Sequence, residues 1–134
     1  MPFALHPTLE RDTAEVSRLT LCRLVLMKDR RFPWVILVPE RENIREIHEL
    51  GPEDRALLIE EIARVGEVMT RLFTPEKINV GALGNLVPQL HIHVVARFSG
   101  DPSWPGPVWG SGPAEPYPEG ELDDLRERLA AAFG

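Results

Sequence analysis

The sequence predicts an α+β fold, in which one long helix and shorter helices pack on an antiparallel sheet of about five strands. Apolar, β-branched runs come in pairs separated by short turn-forming segments, which is typical of antiparallel hairpins. A stripe of apolar residues at helical spacing follows Pro52 and predicts the long helix. At 134 residues the chain has the length of one domain, which we assign to residues 1–134.

The first predicted strands lie before residue 40. Residues 3–18 mix charged and apolar side chains, and we expect a loosely packed lead-in with room for one short edge strand. The apolar runs 19–27 and 34–38 flank a polar break at 28–33 and form the first hairpin. Cys22, the only cysteine, lies in the first run, so no disulfide framework exists and a buried thiol is expected.

Two helical segments follow. Apolar residues recur every three positions over 44–50, which predicts a helical turn that contains His48. The long helix begins at Pro52, with acidic residues in its first turn, and ends at Thr74-Pro75. Its apolar stripe has alternating intervals of four and three residues: Leu58, Ile62, Val65, Met69 and Leu72.

A second hairpin joins a strand over 77–83 to a strand over 90–98 through the turn Gly84-Asn85. The second strand carries His91 and His93, and alternation places both imidazoles on one face. The Pro- and Gly-rich segment 99–120, which contains Trp104 and Trp109, is expected to be a loop. A short amphipathic helix is predicted over about 120–133.

Charge and hydropathy exclude several classes of partner. The net charge of −6 argues against binding of a nucleic-acid polymer, although a local group of donors could still bind a small anion. No stretch approaches the roughly 18 apolar residues of a membrane span. The first residues lack the pattern of a signal peptide, and the cytoplasm is the expected compartment.

Three interpretations of His91 and His93 remain open on the residues alone. The rings could simply face solvent on a strand surface. They could bind a metal ion, which needs a third ligand from His6, His48, Glu42 or Asp101, none of them at a diagnostic spacing. They could be catalytic, because imidazole is a good nucleophile and is largely neutral near pH 7.

A resemblance favours the catalytic interpretation. The segment 79–95, NVGALGNLVPQLHIHVV, resembles the signature of the histidine triad (HIT) family, nucleotide hydrolases and nucleotidyl transferases whose motif alternates three histidines with apolar residues. The likeness extends over about residues 20–110, including the first hairpin, the long helix and Trp104-Pro105-Gly106 after the motif. It implies a HIT-like α+β fold.

The resemblance implies distinct catalytic roles. His91 takes the middle position, which in the family attacks the α-phosphorus to form a nucleotidyl-histidine intermediate. His93 takes the last position and would contact the phosphate or assist the leaving group. Gln89 stands where the family has its first histidine. An amide forms hydrogen bonds but cannot titrate, so we expect a slower enzyme or a different substrate.

The resemblance also implies a set of substrate-binding residues. Asn79 and Asn85 would supply polar contacts, and Leu86 offers only its backbone where several members have a hydroxyl. Gly84 could be an ordinary turn residue, or its missing side chain could let backbone N–H groups approach a phosphate. For three further candidates a functional and a structural interpretation both stay open. Asp29 could accept a hydrogen bond from the ribose or be a turn residue, and Arg97 could lie on the face of the rings or at an exposed edge. His48 could lie near the site or at the surface. Trp104 could cap the core or stack near the ligand.

The predicted function is hydrolysis or transfer at the α-phosphate of a nucleoside 5′-phosphate derivative, such as a dinucleoside polyphosphate or a phosphoramidate. The alternative is a nucleotide-binding or regulatory module that turns over little because of Gln89. No cofactor or metal is required by the residues, although a divalent cation could accompany a polyphosphate substrate. The resemblance implies a small-molecule nucleotide as partner and a homodimer.

Overall fold

The computed structural model describes residues 3–134, so the first two residues of the predicted domain lie outside it. The long helix spans Pro52–Phe73, the C-terminal helix spans Glu121–Phe133, and a 3₁₀ turn lies at Ile47–Glu49. Along the chain the helices and strands are α1 (Pro7–Asp12), β1 (Thr13–Arg18), β2 (Cys22–Met27), β3 (Trp34–Pro39), α2 (Pro52–Phe73), β4 (Lys77–Gly81), β5 (Ile92–Arg97) and α3 (Glu121–Phe133).

The five strands form one sheet in the order β1-β2-β3-β5-β4, and every neighbouring pair is antiparallel. The predicted α+β fold is therefore confirmed. The two predicted hairpins are β2–β3 and β4–β5, and their pairing through β3 and β5 places the histidine strand inside the sheet. This position is typical of a strand that must hold its side chains rigidly, because both of its edges are hydrogen-bonded.

Both faces of the sheet are buried. On one face α2 and α3 cover the sheet, and Val65, Met69 and Leu129 pack among strand residues such as Leu37 and Ile92. On the other face a second cluster forms beneath the N-terminal segment and the loop after β5. Its buried members are Leu9, Val25, Phe32, Trp34, Ile36, Val38, Val87, Val95 and Val108. The histidine rings belong to this second face.

Helix α2 is tied to the sheet by a buried carboxylate. Glu61, 7 % exposed, accepts hydrogen bonds from the backbone N–H groups of Leu21 (2.8 Å) and Cys22 (2.9 Å). The helix thereby fixes the start of β2, and the partners stabilise a charge whose burial would otherwise be costly. Cys22 is buried as expected, and this burial raises the pKa of its thiol.

The lead-in differs from the prediction. Residues 7–12 form α1 instead of a loose segment, with Pro7 in the first turn and His6 Nδ1 accepting from Thr8 N at 3.1 Å. Leu9 is 4 % exposed and joins the second core. The expectation was wrong because a six-residue helix has too few turns to show a periodic pattern. The expected short edge strand is β1.

Two predicted strand boundaries also shift. Strand β4 ends at Gly81 rather than at 83, and β5 begins at Ile92 rather than at 90. The residues between these strands form an open loop that leads to the histidines. None of the helices within residues 3–134 has the length and apolar character needed to cross a membrane.

Candidate functional site

A cavity of about 500 Å³ opens on the second face of the sheet, where both histidine rings lie. Five segments form its wall: the end of β2 with the following turn, the start of β3, the loop before β5, the start of β5 and the loop after it. Its lining residues are Met27, Asp29, Arg31, Trp34, Leu83, Gly84, Asn85, Leu86, Val87, His91, His93, Val108, Trp109, Gly110, Gly112 and Ala114. A mostly apolar cleft with a few convergent polar groups is typical of a small-molecule site.

The two histidines share a face, as predicted. Their ring centroids are 4.9 Å apart, and each residue is 6 % exposed. His93 lies in β5 and pairs with Ile36 and Gly81, whereas His91 directly precedes the strand. The interpretation as solvent-facing rings is therefore wrong, because the second core and the loop after β5 cover this face.

His91 is held through its Nδ1 atom. This nitrogen is 2.7 Å from the backbone carbonyl oxygen of Gln89, which can only accept a hydrogen bond. Nδ1 therefore carries the proton, and Nε2 keeps its lone pair. Burial lowers the pKa of His91 below its usual value, with a smaller opposing contribution from this carbonyl, so the ring is neutral near pH 7.

His93 is also held through Nδ1, but by a donor. The indole Nε1 of Trp34 lies 3.0 Å from this nitrogen. The imidazole sits between two indoles, with centroid distances of 5.7 Å to Trp34 and 5.4 Å to Trp109. Burial, together with the neighbouring His91, lowers the pKa of His93 to about 3. His93 is therefore neutral at all pH values near 7.

The loop before β5 borders both rings. Gly84 has φ +72°, in the left-handed region that favours glycine, and Asn85 lines the cavity beside it. Leu86 lines the cavity with 94 % of its surface exposed, so it lies at the entrance. A Cβ atom at Gly81 would come within 2.9 Å of the Trp109 ring, so glycine at this position lets that indole approach the strand.

Asp29 forms the far wall with Arg31. Their side chains make an ion pair at 2.8 Å and are 2 % and 8 % exposed. Burial acts to raise the pKa of Asp29, but hydrogen bonds from Arg31 and from the Glu115 backbone hold it below its usual value. Asp29 is therefore an anion on the cavity wall. Arg31 also donates to the carbonyl oxygens of Ser111 and Gly112, which ties the loop after β5 to the first hairpin.

Gln89 does not line this cavity. Its Oε1 accepts from the backbone N–H of His6, and its Nε2 donates to the carbonyl of Ala4, each at 2.9 Å. The amide thus holds the N-terminal segment, while the Gln89 carbonyl holds His91. At the position where the resemblance implies a first histidine, both polar atoms of the Gln89 amide are therefore hydrogen-bonded to the N-terminal segment.

Arg97, Asn79 and His48 also lie away from the cavity lining. Arg97 is 1 % exposed and donates to Asp101 (2.8 and 3.0 Å), to Asn79 Oδ1 (2.8 Å) and to the carbonyl of Gly106 (2.7 Å). Of its two expected positions, Arg97 takes the face of the rings rather than an exposed edge, but it anchors the loop after β5, and Asn79 serves as one of its acceptors. His48 is exposed in the 3₁₀ turn and lines a separate groove.

Trp34 and Arg31 line the cavity but were not predicted from the sequence as site residues. Trp109 also lines it, whereas Trp104 was the tryptophan expected either to cap the core or to stack near the ligand. Trp104 instead packs over the Arg97 guanidinium, 5.8 Å from its ring centroid. A signal for Trp34 existed. It lies two residues from Ile36, the partner of His93, so its side chain shares the face of that ring. This signal can be used only when the register of β3 against β5 is known, and that register comes from the structure.

The metal interpretation finds no support in the geometry. Among residues 3–134, no three side chains of the types His, Cys, Asp and Glu are grouped so that they could hold a metal ion. His6 caps α1 instead, and Asp101 binds Arg97. The histidine pair therefore has hydrogen-bonding partners within the fold rather than a third ligand.

Comparison with known proteins gives a consistent result. The model of the HIT domain family matches residues 8–100. A histidine triad protein from Sinorhizobium meliloti is 51 % identical, with a TM-score of 0.94 over 97 % of this chain and 96 % of that chain. A histidine triad protein from Marinobacter aquaeolei is 44 % identical (TM-score 0.93), and one from Bradyrhizobium japonicum is 36 % identical (TM-score 0.96), each with full coverage of both chains. No curated protein sequence matches.

Proposed function

Because the chain belongs to the HIT domain family, we propose that it is a nucleotide hydrolase or nucleotidyl transferase that acts at the α-phosphate of a nucleoside 5′-phosphate derivative. Membership of the family suggests nucleotide binding, or hydrolase or transferase activity. The observation that carries the finer proposal is the state of His91, a neutral imidazole that lines the cavity with its Nδ1 bound to a carbonyl and its Nε2 lone pair free.

In the first step, Nε2 of His91 attacks the α-phosphorus, and the bond from phosphorus to the leaving group breaks. The leaving group departs with the bonding electron pair. The phosphorylated ring then carries a positive charge, which the Nδ1–H bond to the Gln89 carbonyl stabilises. His93 donates a hydrogen bond to oxygen atoms that gain negative charge in the transition state.

In the second step, a water molecule attacks phosphorus, and the electron pair of the P–N bond returns to Nε2 of His91. The water proton passes to solvent or to the departed group, and the products are a nucleoside 5′-monophosphate and free enzyme. In a transferase, an acceptor hydroxyl takes the place of water. Asn85 and Gly84 line the cavity, and in this proposal the Asn85 amide and the backbone around Gly84 bind phosphate oxygens.

Asp29 is our candidate for the ribose. Its Oδ1 already accepts from Arg31 and from the Glu115 backbone, whereas Oδ2 has Arg31 as its partner. A carboxylate oxygen can accept more than one hydrogen bond, so Oδ2 has capacity for a ribose hydroxyl. The apolar surfaces of Met27, Val108 and Trp109 would then contact the base.

A substrate panel tests this proposal. Dinucleoside polyphosphates, nucleoside phosphoramidates and nucleotide sugars are incubated with the wild type and with His91→Ala, and nucleoside 5′-monophosphate is measured by chromatography. We expect product from at least one class with the wild type and none with His91→Ala. Calorimetric binding without product over long incubation would support the alternative of a nucleotide-binding module and overturn the enzyme.

The predicted homodimer is also a proposal. Strand β4 lies at the sheet edge, and Val80 on this strand and Ile59 on α2 are exposed by 51 % and 61 %. The resemblance implies pairing through the long helix and a sheet edge, and these apolar side chains lie on those two elements. Analytical ultracentrifugation tests this proposal. We expect a dimeric wild type that Val80→Lys shifts to monomer, and a monomeric wild type would contradict the proposal.

A further inference from the structure

We propose that Trp34 is a positioning residue that fixes His93 in the tautomer with its proton on Nε2, so that this ring meets a ligand only as a hydrogen-bond donor. The tautomer follows from contacts within the fold. Its consequence for turnover rests on the proposed function.

The chemistry of the two atoms determines the tautomer. The indole nitrogen of Trp34 carries a hydrogen and has no available lone pair, so it can only donate. It lies 3.0 Å from Nδ1 of His93, which must therefore accept and cannot carry a proton in this arrangement. In a neutral imidazole the proton is then on Nε2.

The indole itself is held firmly. Trp34 is 6 % exposed and pairs with Val95 in the β3–β5 ladder. Phe32 packs against it edge-on at 6.2 Å, and Trp109 does so at 6.4 Å. A ring enclosed on these sides has few other rotamers, so the donor stays directed at His93.

Trp109 provides an internal contrast. It also packs against His93, with a centroid distance of 5.4 Å, and it lines the same cavity. Its indole nitrogen, however, is buried without a hydrogen-bond partner among the described residues. Two indoles therefore contact one imidazole, and the hydrogen bond distinguishes them. A Trp→Phe change removes a similar ring area at either position, but only the change at Trp34 also removes a hydrogen bond.

The same contact opposes protonation of His93. A second proton would have to go on Nδ1 and face the indole N–H directly. The described lining of the cavity has three other titratable residues. The ring centroid of His91 lies 4.9 Å from that of His93, and Asp29 and Arg31 form an ion pair with each other. His91 is neutral near pH 7, and the ion pair is balanced, so neither group offsets the unfavourable second proton.

The test is the tautomer of His93 at pH 7, measured by long-range ¹H–¹⁵N correlation on ¹⁵N-histidine-labelled protein. In the wild type and in Trp109→Phe we expect a protonated Nε2 and a bare Nδ1. In Trp34→Phe we expect a mixture of tautomers and a higher pKa for His93. A protonated Nδ1 in the wild type overturns the proposal, and so does a Trp34→Phe spectrum identical to that of the wild type. If Trp34→Phe does not fold, the wild-type spectrum alone decides.

Kinetics separate this proposal from the proposed function. Loss of one neutral hydrogen bond should lower kcat of Trp34→Phe by about fivefold at pH 7, with KM little changed. This loss relative to the wild type should shrink as pH falls, because a protonated His93 again carries a proton on Nε2. Failure of the proposed function would show as absence of turnover in the wild type while the tautomer result stands. An unchanged kcat and pH profile in Trp34→Phe, with normal wild-type turnover, would overturn the consequence for catalysis.

Discussion

His91 and His93 are two residues apart, equally buried and packed against each other, yet they differ in the partner of one atom. Nδ1 of His91 faces a carbonyl, and Nδ1 of His93 faces an indole N–H. An acceptor in one position and a donor in the other leave opposite groups on the two Nε2 atoms: a lone pair on His91 and a proton on His93.

The comparison shows how two residues of one type can present opposite hydrogen-bonding groups to one cavity. Burial makes both rings neutral, and the partner of Nδ1 then decides which ring can attack and which can donate. The partners come from different elements, since Gln89 precedes β5 and Trp34 begins β3. The difference between the rings therefore depends on the pairing of β3 with β5 as well as on the motif.

The largest expected effect is on His91. His91→Gly should lose turnover to background, because no other group in the cavity has an equivalent free imidazole nitrogen. Added imidazole should restore part of the product formation, measured by chromatography, without covalent label on the protein. The matched change His93→Gly should show no such restoration. Equal rescue of both variants would remove the distinction between the rings.

A smaller loss is expected at His93. His93→Ala removes one preorganised donor and should lower kcat by about 10²-fold, as removal of a single transition-state donor commonly does. His93→Gln keeps a side-chain N–H and should recover part of the loss in steady-state assays. A His93→Ala variant with wild-type kcat would show that the ring is only structural.

The two rings should also make the fold sensitive to acid. Both have pKa values below that of an exposed histidine, so the unfolded chain binds protons that the folded chain does not as pH falls below about 6.5. For His93, with a pKa of about 3, the free energy of unfolding should fall by about 2 kcal/mol between pH 7 and pH 5.

Urea unfolding at several pH values measures this loss. Carboxylates such as Asp101, with a pKa of about 2, titrate lower and should contribute little above pH 5. His93→Gln should reduce the slope more than His91→Gln does, because the Gln89 carbonyl partly offsets the lowering of the His91 pKa, whereas no such group in the part of the chain that the structure describes opposes the lowering for His93. A greater effect of His91→Gln would reverse the order of the two rings.

The smallest effect is expected at Gln89. Gln89→Ala removes both bonds to the N-terminal segment and should lower the free energy of unfolding by about 1–2 kcal/mol. The backbone carbonyl of residue 89 still holds His91 in this variant, so kcat should change by less than about tenfold. Urea unfolding measures the stability, and steady-state assays measure kcat. A large loss of kcat with unchanged stability would show that the amide acts in the reaction itself.

The sequence predicted the sheet, both hairpins, the long helix and the shared face of the histidines, because each depends on local periodicity. It did not predict α1, which is too short to show a period. It also did not predict the two Nδ1 partners. Trp34 lies 59 residues from His93, and only strand pairing brings them together. For Arg97 the sequence left two positions open, the face of the rings and an exposed edge, and its acceptors depend on the path of the loop after β5.

The most direct test of the account is the position of the covalent label after rapid quenching with a radiolabelled nucleotidyl donor. We expect acid-labile label on His91 in the wild type, slower labelling at the same residue in His93→Ala, and none in His91→Ala. Peptide mapping under alkaline conditions would locate the label. Label on His93, or labelling that survives in His91→Ala, would contradict the assignment of opposite roles to the two rings.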